Sequence, residues 1–271
     1  MTKLAARARE RAFGLGVANG ILFEVVAVIL QPATVMSALI LRVTGSTLYA
    51  SLPISLGAIG NLWPQLLASN LAESRPRKQP LYVATSALRS AAIAGMAVTA
   101  WWLGSEGSAL LVVLLPLLYF VYASAAGAGT IAFMDIVGKT VPVSRRGSFW
   151  GLRGFYGGLL ALATGFLVRR TLSPEGPPFP LSYAYLYGLA AAVLVAAASA
   201  FAAIREPVTT PPRPRQPLRQ HLGQGVALFR RDRNWRQLYL VGLLSSLTGI
   251  GPVVYVPYAI RGLGFGEGIV G

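Results

Sequence analysis

Seven apolar stretches run along the chain, and polar breaks, all but one of them short, separate them. A helix needs about 20 mostly apolar residues to cross a hydrocarbon core of roughly 30 Å. The pattern predicts spans at residues 17–41, 49–69, 81–103, 109–137, 149–168, 183–203 and 237–260. Short breaks, such as the one at residues 104–108, force successive spans to run antiparallel and to gather into a bundle. The fold class predicted is therefore all-α: a polytopic transmembrane helical bundle of about seven spans.

Composition agrees with this pattern. The chain is 54% hydrophobic and only 12% charged, with a mean hydropathy of +0.58. A soluble domain carries roughly 25% charged residues, so this chain could not cover a water-facing surface. A formal net charge of +15 would ordinarily raise the question of nucleic acid. Here the charges sit at the ends of apolar spans and form no single basic face, so no nucleic-acid partner is expected.

The basic residues instead fix an orientation. Eighteen of the 24 Lys and Arg lie in the N-terminus and in every second break, and four (Arg42, Arg169, Arg170, Arg261) lie in the others. Positive segments stay cytoplasmic, which puts the N-terminus inside and, after seven spans, the C-terminus outside. Arg89 and Arg153 fall within spans, near the expected cytoplasmic ends, where Arg can snorkel toward water. The basic start (Lys3, Arg7, Arg9, Arg11) before an apolar run imitates a signal peptide. That run is longer than the 7–15 residues typical of a signal core, so it reads as an uncleaved first span. The localisation expected is a multi-pass protein of the inner (plasma) membrane, with membrane lipids as its surroundings.

Six spans precede one long polar break and one follows it. The break, residues 205–236, opens Pro-rich (Pro207, Pro211, Pro212, Pro214, Pro217) and continues with Leu218, Leu222, Val226 and Phe229 at helical spacing among Arg residues. It predicts an amphipathic helix over residues 218–236, either lying on the membrane surface or acting as a solvated linker. Three units result: residues 1–204 as a six-helix transmembrane domain, 205–236 as a basic cytoplasmic linker, and 237–271 as the first helix of an incomplete second half. Gly262, Gly264, Gly266 and Gly268 make a loose loop, and residues 269–271 read as the start of an eighth helix. The sequence thus reads as a truncated piece of a longer protein.

Two loop segments carry a family resemblance. Between the second and third spans the chain reads Ser69-Asn70-Leu71-Ala72-Glu73-Ser74-Arg75-Pro76-Arg77-Lys78. Between the fourth and fifth it reads Pro142-Val143-Ser144-Arg145-Arg146-Gly147. With six spans, a long basic loop and the start of a second set, these segments resemble the major facilitator superfamily of transporters. That family carries a pattern close to Gly-x-Leu-x-Asp-Arg-x-Gly-Arg-Arg after its second helix, and many members open the fifth with Pro-x-x-x-Arg-Gly. Leu71 matches, Glu73 stands for the acid, and Arg77 and Lys78 match the terminal basic pair. Ser69, Ser74 and Pro76 depart from the first Gly, the Arg and the second Gly. The resemblance implies a major-facilitator-like N-terminal six-helix domain, a missing second half, and a charge network of Glu73, Arg77 and Lys78, with Arg145 and Arg146, at a cytoplasmic gate. The Gly-Pro signature that drug/proton antiporters carry in the fifth helix is absent.

Candidate chemistry is sparse. Glu24 is the one acid well inside a span, and a charge at membrane depth costs about 2.5–3.5 kcal/mol on insertion scales. It reads either as a binder of a proton or cationic group or as an internal hydrogen-bond partner. Gln31 lies seven residues on and shares its face, whereas Asn19 projects about 140° away. The Gln31–Pro32 pair is also a predicted kink. Tyr122 in the fourth span and Tyr255 in the seventh are further cavity candidates, with packed or interfacial Tyr as the alternative. Asp135 lies one turn from Lys139 and reads as a structural or gating ion pair. Gly154 and Gly158 permit close helix approach, read here as packing within the bundle.

No Cys and a single His, His221, leave no thiolate or histidine metal site, and no cofactor is expected. The function read from the sequence is alternating-access transport of a small solute, possible coupling to a proton or cation included, and not an enzyme. The alternatives are a multi-pass enzyme acting on lipids or a non-transporting membrane scaffold. Scattered single acids do not supply a catalytic group for the first, and no partner motif marks the second.

Overall fold

A computed structural model of the chain describes residues 3–104, 109–208, 217–246, 258–260 and 262–265. The described residues are almost wholly helical: α1 (Lys3–Ile29), α2 (Ser37–Thr44), α3 (Thr47–Glu73), α4 (Gln79–Leu103), α5 (Ala109–Thr140), α6 (Arg146–Thr171), α7 (Leu181–Ala202), α8 (Leu218–Arg231) and α9 (Arg233–Ser246).

The first span is broken where the sequence predicts. Gln31 adopts an extended backbone (φ −59°, ψ 113°), and Pro32 opens a single wide turn, Pro32–Met36, before α2 resumes the helix. Pro32 has no N–H to donate to the preceding turn, so the helix cannot run through it. The Ser37 hydroxyl lies 2.8 Å from the carbonyl of Pro32 and 2.7 Å from that of Ala50 on α3. One side chain therefore sits at both the break and the neighbouring helix. Gly45, with φ 65°, ends α2 in the left-handed conformation, which glycine adopts without steric cost.

Five stretches are long and apolar enough to cross a membrane: Arg7–Thr44, Gln79–Leu103, Ala109–Thr140, Val143–Thr171 and Leu181–Ala202. The expected second span coincides with α3. Its 27 residues reach about 40 Å at 1.5 Å per residue, but Pro53, Asn61, Pro64 and Gln65 interrupt its apolar run, and it is not among those five. At the expected seventh span, α9 runs to Ser246 and residues 247–257, Tyr255 among them, lie outside the described residues. The predicted linker helix is also divided. Asp232 takes an extended backbone after α8, and its Oδ1 accepts the N–H of Asn234 at 2.8 Å. An Asp that caps the next helix in this way ends the previous one.

The bundle is apolar both inside and out. A central core joins Val26, Ile29, Met36, Ile93, Tyr183 and Tyr187. A second core, at the end holding the α1 N-terminus, joins Phe13, Tyr82, Ile136, Phe149 and Phe201. Outward faces carry exposed Trp102, Val113, Leu162, Phe166 and Val195. Helices that are apolar all round belong in lipid or against further helices.

The five most extensive packings pair α3 with α5, α4 with α5, α4 with α7, α1 with α6, and α1 with α7. Take α1–α2, α3 and α4 as one triplet and α5, α6 and α7 as a second. Exchanging the triplets maps α3·α5 onto α1·α6, α4·α5 onto α1·α7, and α4·α7 onto itself. The packing of α2 on α3 has no such counterpart.

Candidate functional site

Three polar clusters interrupt the apolar interior, two of them along α1 and one at an end of the bundle. The first ties four helices together. Asn19, buried on α1, donates through Nδ2 to the Tyr82 hydroxyl of α4 at 3.2 Å and to the Ala197 carbonyl of α7 at 2.9 Å. Its Oδ1 accepts from Arg153 of α6 at 3.3 Å. Arg153 also donates to the Gly16 carbonyl and lies within 5.1–5.3 Å of the ring centres of Phe133, Phe149 and Trp150. Its guanidinium presses on Gly20, where an added Cβ would come within 2.4 Å of it. Arg153 is thus folded beneath α1 rather than extended toward water. Asn19, a cavity candidate by sequence, has its amide saturated by bundle contacts. A buried amide with every site engaged is a structural tie.

The second cluster lies one turn further along α1. Arg89 of α4 donates to the Tyr122 hydroxyl of α5 at 3.3 Å. Its guanidinium faces the Phe23 ring at 5.0 Å and the Tyr122 ring at 5.1 Å, favourable cation–π distances. Tyr122 is buried and stacks on Tyr119 at 5.7 Å. Ten helical residues separate Arg89 from the start of α4, about 15 Å. It sits at mid-depth among α1, α4 and α5, and not near a helix end. The expectation that Arg89 snorkels to water near a span end is corrected here: it turns inward to Tyr122. A cue was present: an Arg so far inside a span cannot easily reach either surface.

Glu24 turns to another neighbour. It is partly buried against α6, and a Cβ on Gly157 would approach its Cγ to 2.6 Å. Among the described residues it accepts no hydrogen bond and forms no ion pair. Gln31 is exposed at the break, and its carbonyl accepts the Thr34 N–H at 3.2 Å.

The third cluster lies at the end of the bundle and centres on Glu206, just past α7. Its carboxylate is fully buried. Oε2 accepts the backbone N–H groups of Lys78 and Gln79 at 2.7 and 2.8 Å, and Oε1 takes the Lys139 ammonium at 2.8 Å. The first N–H groups of a helix lack internal partners and carry partial positive charge, so an anion belongs there. Lys139 also pairs with Asp135 at 2.5 Å, one turn back on α5. Glu206 is not among the candidates read from the sequence. Its only cue was its place, an acid between the last apolar residue of a span and Pro207.

The remaining gate candidates are arranged around this cluster. Lys78 donates through Nζ to the carbonyls of Ala72 and Arg75, closing the C-terminal end of α3. Glu73 is exposed on the last turn of α3, Arg77 is exposed in the loop, and Glu73 has no ion pair among the described residues. Arg145 pairs with Glu10 of α1 and covers the Phe13 ring at 4.3 Å. Arg146 donates to the Gly138 carbonyl at 3.0 Å.

One packing expectation is overturned. Gly154 and Gly158 are exposed, and a Cβ added at either would meet nothing within 4 Å. The small residue that brings α6 against α1 is Gly157, between them. Compared with family models, curated proteins and solved structures, the chain matches none of them.

Proposed function

We propose that this chain is a six-span half of a secondary transporter of the major facilitator kind, moving a small solute by alternating access. The observation that carries this reading is the exchange symmetry of the packings between the α1–α4 and α5–α7 triplets. Successive spans alternate in direction, so the first helices of the two triplets run oppositely. Two three-span units packed in this way are the nested inverted repeat that each half of such a transporter contains, with the site at midplane between repeats. The Arg89–Tyr122–Phe23 cluster lies where the leading helices of the two triplets meet. The Glu206 cluster gathers the cytoplasmic loops that resemble the family's gate.

The test is solute flux. The native gene product, reconstituted into liposomes, should accumulate or release a solute from a broad panel faster than empty liposomes. Flux should saturate with concentration. Non-saturating leak for every solute class would refute the reading.

A further inference from the structure

We propose that Arg89 recognises an oxyanion, the carboxylate or phosphate of the transported solute. This deepens the transporter reading and rests on it. A guanidinium offers five N–H donors in a planar fork. Among the described residues one acceptor reaches that of Arg89, the Tyr122 hydroxyl at 3.3 Å. Its Nε is buried with no hydrogen-bond partner. The Phe23 and Tyr122 rings flank the group at 5.0 and 5.1 Å, but a ring face accepts none of the in-plane protons.

Arg153 is the better paired of the two guanidinium groups: its Nη1 donates to two acceptors, and the Glu24 carboxylate attracts it. It has a backbone carbonyl, the Asn19 oxygen and three ring faces. Arg89 has no equivalent set. The charge balance points the same way. Two guanidinium groups lie at depth within membrane-length helices, and the acid on the facing stretch of α1, Glu24, packs toward α6 rather than α4. A cation held at membrane depth requires a counter-charge or water. A carboxylate or phosphate meets a guanidinium edge through two parallel hydrogen bonds. A neutral or cationic solute would leave the guanidinium without a counter-charge.

The experiment uses the full chain in maltoside detergent without added phospholipid, and again in phosphatidylcholine nanodiscs. The probes are benzoate and inorganic phosphate, with benzamide and benzylamine as neutral and cationic matches to benzoate. Thermal stabilisation should saturate with at least one anion and with neither match. Arg89→Gln should raise the half-saturating concentration about tenfold or more, since hydrogen bonds to a charged group are the strong ones. Tyr122→Phe, which removes one hydroxyl, should raise it about threefold and serves if Arg89→Gln fails to fold. The proposal is overturned if no anion saturates, if benzamide matches benzoate, or if both variants respond like the wild type. It is also overturned if stabilisation requires an anionic lipid, which would make the ligand a headgroup. Saturable anion binding with no flux would keep this site and discard the transporter reading. Saturable flux of a neutral solute, unchanged by Arg89→Gln, would do the reverse.

Discussion

The Glu206 carboxylate and the Lys139 ammonium meet at 2.8 Å, joining the segment after α7 to the last turn of α5. Sixty-seven residues separate them in the chain. Because the other carboxylate oxygen caps α4, one acid holds three helices at the same end of the bundle. Removing one partner of a buried ion pair strands the other charge, at a cost of about 3–5 kcal/mol. Glu206→Ala should therefore lower detergent thermostability strongly. Lys139→Ala should cost less than Glu206→Ala, since the two backbone N–H groups still hold the carboxylate. The Glu206→Ala/Lys139→Ala double variant should be less destabilised than the sum of its two singles. Glu73→Gln, at an exposed position, should stay within about 0.5 kcal/mol of wild type. Melting curves for the five proteins check the set.

Close helix approach gives a second prediction. A Cβ on Gly127 of α5 would come within 2.0 Å of the Asn61 carbonyl oxygen of α3, a backbone atom with little room to move. Gly127→Ala should separate the two helices and cost about 1–3 kcal/mol. Gly154→Ala and Gly158→Ala meet open space and should be neutral or slightly stabilising, because Ala favours a helix by about 1 kcal/mol over Gly. Equal loss of stability in all three would contradict the packing described for α3 and α5.

The basic segments supply a third prediction, that of topology. Reporter fusions after Thr140 and Pro207 should read as cytoplasmic, and fusions after Gly104 and Ser173 as external. A cytoplasmic signal at Ser173 would remove the orientation assigned to α6 and α7.

Much of the helical plan is legible in the apolar runs, because span length and hydropathy are local properties. The break at Gln31–Pro32 is equally local, since proline deletes a donor wherever it stands. The division at Asp232 was missed because the helical spacing of Leu218 through Phe229 ran smoothly toward it. The polar interior was legible as residue types and not as partnerships. Asn19, Glu24 and Arg89 all read as polar groups in spans. Which is saturated, which faces α6 and which keeps open donors depends on side chains from α4, α6 and α7. Glu206 was illegible for the same reason, its partners lying 67 to 128 residues away.

A fourth prediction concerns Glu24. Glu24 accepts no hydrogen bond among the described residues, so Glu24→Gln should fold and insert like the wild type. If the group carries a proton or a cation, flux by the native gene product should then lose its pH dependence. Reduced stability with an unchanged pH profile would make Glu24 structural.

Alternating access itself is tested most directly by a single cysteine in this otherwise Cys-free chain. Cysteine placed at position 24 of the native gene product, in inverted and right-side-out vesicles, would be challenged with a membrane-impermeant thiol reagent. The account predicts labelling from both faces, with solute or pH shifting the balance from one face to the other. Labelling from one face only, or from neither, under every condition would contradict it.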